Sequence, residues 1–422
     1  MIDDIKKLFE KNYQEYFEPK NFSRKSALDT FVRLGIPKWR SEEWKYTDIS
    51  KLNEVTISIE NNFEDDYIKK AVADCDVSPY KLVFCNGKFQ DSFSNILNQN
   101  GLEIKVVKSF EDIKNFCDDI GSIADYSEES FVALNSSCFA DCVLIRVLAN
   151  REIQDLIQVI NISTSNNSTN LSCPRLFIET EKNSKLNIIE TYISLDSNNQ
   201  SLTCPVSEYK LAENSEIKVY KVVKDGQDNF HIGMQEALCA KNSRFYNTVF
   251  NLSGGTVRNN TNCKLNGELA YASLLGLSVL KDSEKVDNVT KLDHSMPNCD
   301  SYEVYKGIFN DESQGVFNGT IIVRKDAQKT NAIQSNKAIL LSKKAASYAK
   351  PQLKIWADDV KCTHGATCGA LDDEAMFYLR SRGISENEAK NILVQAFAGE
   401  ITESVTDKAL KEWLGQEISK KL

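Results

Sequence analysis

Histidine is scarce in this chain. Its 422 residues hold three, His231, His294 and His364, too few for most catalytic triads, and no G-x-S-x-G elbow presents a serine nucleophile. Neither G-x-x-x-x-G-K-[ST] nor G-x-G-x-x-G occurs, so the chain carries no nucleotide-binding fingerprint of its own. There are twelve cysteines but no C-x-x-C pair, which removes the strongest zinc and thioredoxin-like signals. No apolar run approaches the roughly 18–20 residues that cross a bilayer. The N-terminal MIDDIKKLFEKNYQEYF lacks the apolar core and small-residue cleavage site of a secretion signal. Basic residues are outnumbered, 51 Lys+Arg against 60 Asp+Glu for a net charge of −9, a poor match to nucleic-acid phosphates. The expectation is a cytoplasmic protein, or an organellar one if a targeting segment belongs to it, with no membrane or nucleic-acid partner.

What is present is ordinary in bulk and informative in pattern. Hydrophobic residues make up 41% and charged residues 26%, enough for a substantial core in two or three regions. Most of the cysteines, scattered from Cys75 to Cys368, read as reduced, buried small hydrophobes. Residues 1–142 read as a helical and small α+β region. Ile2, Ile5, Leu8 and Phe9 share a helical face, and a second helix through Ala27, Leu28, Phe31 and Val32 stops at Gly35. Trp39, Trp44 and Tyr46 follow among charges and are expected to pin these helices to a neighbouring sheet. A short acidic helix is expected near Phe110 and Phe116.

Residues 143–369 are strand-like runs separated by polar turns. Three turns share one form, centred on Asn183, Asn214 and Asn242, and Asn266 follows in a similar setting. Asparagine tolerates the left-handed conformation, and the next apolar residue restarts a strand. A drifting repeat of this kind with little helix signal predicts a parallel β-solenoid, ahead of a β-sandwich. Residues 370–422 are helical. Asp372, Asp373 and Glu374 open one helix, which ends at Gly383, and Ser385 with Glu388 forms a capping box for the next. That helix carries the apolar stripe Ala389, Ile392, Leu393, Ala396 and Phe397, facing either the core or a partner groove.

Candidate chemistry is concentrated in one place. Residues 350–369, KPQLKIWADDVKCTHGATCG, bring Cys362, His364 and Cys368 within seven positions, at what reads as a strand-to-helix junction beside a Gly-rich turn. Thiolate and imidazole suit iron, zinc or Cu(I). Three ligands do not close a four-coordinate site, and another subunit could supply a fourth. Packing and turn structure are the alternative. His294 and Cys299 form a second pair beside Pro297, either structural or a metal site.

These residues carry a resemblance. Ser41-Glu42-Glu43-Trp44-Lys45-Tyr46-Thr47-Asp48, FVALN at 131–135, H-x-x-P-x-C-x-S-x-E-x-Y-K-G at 294–307 and GVFNG at 315–319 all match one family. So do DAQKT-x-A-x-QSN at 326–336, KPQLKIWADDVKCTHGAT from residue 350, and FYLRSRGI at 377–384. The chain resembles the SufB/SufD family of iron–sulfur cluster assembly subunits, on the SufD side, over most of its length and most weakly over 51–130. The resemblance implies a mainly β protein with a right-handed parallel β-helix between helical ends. It implies a non-catalytic scaffold that pairs with a SufB-like subunit, or with itself when isolated. A SufC-like ABC ATPase would bind its C-terminal region around Phe377, Tyr378, Arg380, Arg382 and Gly383. Cys362 and His364 would face the SufB-like partner, with a transient iron or iron–sulfur cluster shared between them. Cys368 departs from the family pattern and receives no role. Two other readings remain: a solenoid carbohydrate enzyme using Asp293, Asp300 and Glu303 near His294, and a zinc-stabilised structural β-helix.

Overall fold

The computed structural model describes residues 1–12, 22–59, 64–108, 120–165, 168–195 and 200–421. The acidic helix expected near Phe110 lies outside them. From Val206–Leu211 to Asn331–Leu340, strands alternate between two sheets, each pairing in parallel with the strand two places away in sequence. Phe230–Cys239, Thr256–Leu265, Lys285–His294 and Gln314–Val323 follow one another in the first sheet. Arg244–Ser253, Tyr271–Leu280, Asp300–Phe309, Asn331–Leu340 and Lys361–Gly369 follow one another in the second. This is a parallel β-solenoid, mainly β, between helical N- and C-terminal regions, as the repeat predicts.

Period-two alternation builds its interior. Ile217 and Val219, Phe245, Ala272 and Leu274, Tyr305, Phe317 and Ile321 come from alternate positions of strands in both sheets and pack in one buried cluster. Each strand leaves its other face for an outer layer. Because the ladders are parallel and in register, a residue's neighbours one coil away can be read directly from the pairing.

The corners are also in register. Asn150, Asn183, Asn214 and Asn242 all sit in the left-handed region, with φ of 61°, 58°, 59° and 53°. Their amides form a ladder: Asn183 Nδ2 donates to Asn150 Oδ1 at 2.8 Å, Asn214 to Asn183 at 3.0 Å, and Asn242 to Asn214 at 2.7 Å. The next member is not Asn266 but Leu269, with φ 63°. The Asn242 amide N–H bonds Glu268 O, so the coil closes three residues later than the asparagine spacing suggests. Leucine has no stacking amide and breaks the ladder there.

The N-terminal region lies against the outer face of the first sheet. Ile5 and Phe9 of helix Ile2–Asn12 and Ala27, Leu28 and Phe31 of helix Arg24–Leu34 are buried, and Gly35 ends the second helix at φ 66°. The expected pinning by aromatics holds for two of three. Trp44 is buried beneath the Arg258 guanidinium, 4.0 Å from the ring centroid, and Tyr46 stacks on Tyr348 at 4.4 Å, whereas Trp39 stays exposed.

At the other end, helices Glu386–Thr402 and Lys408–Lys421 lie on the outer face of the second sheet. Val394, Ala398, Ile401, Leu410, Leu414 and Ile418 bury against Val304, Ile308 and Leu277. Lys306 fastens the layer, its ammonium 2.5 Å from Glu400 and bonded to Phe397 O at 2.8 Å. The capping box at Ser385 and Glu388 is formed. The buried stripe is rotated from the expected one: Ala389 is buried, but Ile392 and Ala396 face outward. The sheet meets the helix along Ala389, Val394, Ala398 and Ile401 instead.

The asparagine ladder gives a stability test. Asn214→Ala removes two amide bonds and forces a Cβ residue without a local polar partner into the left-handed region, a loss of about 1–3 kcal/mol. Asn214→Gly restores only the backbone part, so its urea midpoint should fall between alanine and wild type. Equal midpoints for the two variants would exclude a backbone contribution.

Candidate functional site

The solenoid ends in open edges. Strand Lys361–Gly369 is last in its sheet and pairs on one side only, from Asn331↔Lys361 to Ile339↔Gly369. The first sheet ends in Ala346–Ala349 and Gln352–Ile355, both paired to Gln314–Val323. A row of unpaired N–H and C=O groups is a template for another strand. Ile355 and Trp356 beside it are exposed, Trp356 by 61%.

The expected turn and strand-to-helix junction at Cys362 is in fact a single strand reaching Gly369, because the ladder with Asn331–Leu340 continues along it. Cys362 packs against the interior cluster, which fixes the inward face. His364, Ala366 and Cys368 share that face by alternation, in register with Gln334, Asn336 and Ala338 of the coil beneath. Those three are buried. No further coil covers the last strand, so Cys362 is half-buried and His364 and Cys368 are exposed.

An extended strand spreads what a sequence window groups. At about 3.3 Å per residue, Cys362 and His364 stand about 7 Å apart, and Cys368 lies about 20 Å from Cys362. Cys362 and His364 can serve one ion or cluster together, and Cys368 cannot join them. Among the described residues no three His, Cys, Asp or Glu side chains are grouped to hold a metal. Burial pushes the Cys362 thiol up and so favours its protonated form, while a bound metal would stabilise the thiolate.

The second pair, His294 and Cys299, is buried and separately bonded. His294 is buried, its ring driven down to about 4 by burial, with Nε2 2.9 Å from Ser301 Oγ. Cys299 is buried and donates to Gly267 O at 3.2 Å. Each has its own partner. The carboxylates of the carbohydrate-enzyme reading diverge too. Asp293 holds Arg324 through two bonds of 2.8 and 2.7 Å, Glu303 points into the interior, and Asp300 is exposed at a strand start. His231 lies inside the solenoid against the edge of the Tyr192 ring, at 4.8 Å, and burial holds it neutral.

A second surface adjoins the open end. Residues 370–372 connect the last strand to helix Asp373–Ser381, which has no buried residue. Phe377 and Tyr378 are 75% and 58% exposed. Arg382 Nη2 donates to the Tyr378 hydroxyl at 3.2 Å, Arg380 lies 3.4 Å from Glu386, and Gly383 turns the chain at φ 87°. Ile392 of helix Glu386–Thr402 is exposed as well.

Fold and site together define a class: a parallel β-solenoid whose open end carries a thiol and an imidazole, with no third metal-ligating side chain grouped beside them among the described residues. Residues 3–159 match the SufBD protein N-terminal region, and residues 161–397 match the family described as SUF system FeS cluster assembly, SufBD core domain. The chain is 30% identical to the iron–sulfur cluster assembly protein SufD of Escherichia coli, over 94% of this chain and 91% of the other. It is also 30% identical to an iron–sulfur cluster assembly SufBD family protein of Synechocystis, over 94% and 90%. A chloroplastic Arabidopsis thaliana protein is 28% identical over 57% of this chain and 51% of its own length. The chain belongs to the SufBD family of iron–sulfur cluster assembly proteins. No described helix is long and apolar enough to cross a membrane.

The burial pattern makes a chemical prediction. Cys368 is exposed, Cys362 is half-buried, and the other nine described cysteines are buried. Iodoacetamide on the native protein should label Cys368 first and Cys362 more slowly, with those nine protected until unfolding. Peptide mapping by mass spectrometry reads the order; protection of Cys368 in the isolated chain would mean that its strand is covered.

Proposed function

We propose that this chain is a non-catalytic scaffold subunit that assembles an iron–sulfur cluster jointly with a SufB-like partner. One observation carries the reading: Cys362 and His364 share the inner face of a terminal strand whose outer edge is unpaired. The partner's end strand would extend the sheet and supply the remaining ligands. Iron and sulfide are the cargo. A mixed N/S pair on an open edge suits a cluster that must also leave. The isolated chain would use the same edge to pair with itself.

Coupling to ATP would enter through the neighbouring surface. A SufC-like ATPase seated on Phe377, Tyr378, Arg380 and Arg382 would pull on helix Asp373–Ser381. Residues 370–372 would carry that motion directly to the last strand. The helix packs only lightly on its own chain, so it is free to move with a partner while helices Glu386–Thr402 and Lys408–Lys421 stay fastened.

Two experiments test the two halves. His364→Ala, an exposed substitution expected to change stability by less than about 0.5 kcal/mol, should cut cluster formation in the co-purified complex at least tenfold. Unchanged assembly in that variant would remove His364 from the chemistry. Phe377→Ser with Tyr378→Ser should weaken co-purification of the ATPase while leaving the thermal midpoint and the SufB-like partner in place. Full retention of the ATPase would place its binding surface elsewhere.

A further inference from the structure

Beneath His364 the solenoid interior holds an unusual polar stack. Register places Leu274, Glu303, Gln334 and His364 one above another on successive coils of the second sheet, about 4.8 Å apart. Glu303 and Gln334 are 0% and 1% exposed. Gln334 Nε2 donates to Glu303 Oε2 at 2.7 Å. An ionised carboxylate only accepts, so it fixes the amide with its nitrogen towards Glu303. The amide oxygen, Gln334 Oε1, is then left without a hydrogen-bond partner in a buried position. An orphaned buried acceptor costs roughly 1–3 kcal/mol, so its retention directly below an imidazole calls for a role.

We propose that Gln334, oriented by Glu303, is the positioning residue for His364: its side-chain oxygen, unbonded in this structure, takes the N–H of the imidazole when the ring lies over the inner face of the strand, and turns the other ring nitrogen outward to the cluster. This rests on the reading of His364 as a cluster ligand. Histidine ligands are generally held this way, by an acceptor on the nitrogen that does not bind the metal, and loss of that acceptor costs about 10–100-fold in affinity or activity. Here the acceptor is an amide rather than a carboxylate. An amide adds no negative charge beside the cargo, while Glu303 supplies the orienting charge one coil further in. Burial pushes the Glu303 carboxyl up to about 7, so the test belongs at pH 8, where it is ionised.

With three histidines in the chain, ring nitrogen shifts of the ¹⁵N-histidine-labelled full chain can be assigned by comparison with His364→Ala. Wild type should show one dominant tautomer at His364. Gln334→Met should relax it to the mixture of free imidazole, and Glu303→Gln, which lets the amide flip, should give an intermediate population. Cluster assembly with the SufB-like partner should slow about tenfold or more in Gln334→Met. Identical tautomer populations in wild type and the variants overturn the proposal, even if His364→Ala stops assembly. A tautomer shift with normal assembly in His364→Ala supports the positioning and overturns the ligand reading instead. Glu303→Gln is isosteric and decides the matter alone if Gln334→Met does not fold.

Discussion

In-register parallel pairing is the constraint on which the rest of this structure depends. Each coil sets the depth and facing of the next, so a side chain's surroundings are its neighbours one coil up and one coil down. Leu274, Glu303, Gln334 and His364 are far apart in sequence and consecutive in space for this reason alone. The same rule stacks Asn183, Asn214 and Asn242 at a corner and Ile217 with Phe245 in the core. A shift by one residue in any coil would turn every later side chain to the opposite face. The corner residues with positive φ are what hold that register.

A solenoid built this way always has an end, and an end is an unpaired sheet edge. At the N-terminal side the parallel ladder stops by a change of direction: Leu102–Val107 and Lys88–Phe89 each pair antiparallel as the last strand of their sheets. The C-terminal side has no such antiparallel strand among the described residues. The N-terminal segment reaches the final coil, through Tyr46 on Tyr348 and Glu42 bonded to Lys350 at 2.9 Å, without covering its edge. The helices that follow fold back onto the outer face of the second sheet, leaving the edge itself bare. Openness at this end is thus set by where the neighbouring layers stop.

The fold was legible because its signals are periodic. Alternation gave the strands, the asparagine turns gave the repeat, and Gly35, Ser385 and Gly383 marked helix ends that the structure retains. The misreadings within the solenoid share one cause, the use of spacing along the chain where spacing across coils decides. Asn266 looked like the next corner, yet Leu269 takes it, because the coil length and not the residue type sets the position. Cys362, His364 and Cys368 looked like a cluster, yet a strand lays them out in a line. Glu303 was read with His294 by proximity in sequence, although one ends a strand of the first sheet and the other lies within a strand of the second.

That last separation bears on how such a site is tuned. A metal ligand on an edge strand has solvent or a partner above it and the interior of its own solenoid below. Its partner can change with the state of the assembly, whereas the coil beneath is fixed by ladders on both sides. Residues that tune the ligand belong in that inner coil. Gln334 is in the right place, and its amide is orientated by a carboxylate that has no cation to neutralise it. Burying a carboxyl with no cation beside it destabilises the coil, so a stability-optimised interior would put an apolar residue at 303, as it does at Leu274 one coil further in. The polar stack begins at Glu303 and ends at His364, in the coils that meet the open end, and is separate from the buried polar network of Glu190, Tyr209 and Gln235 further in.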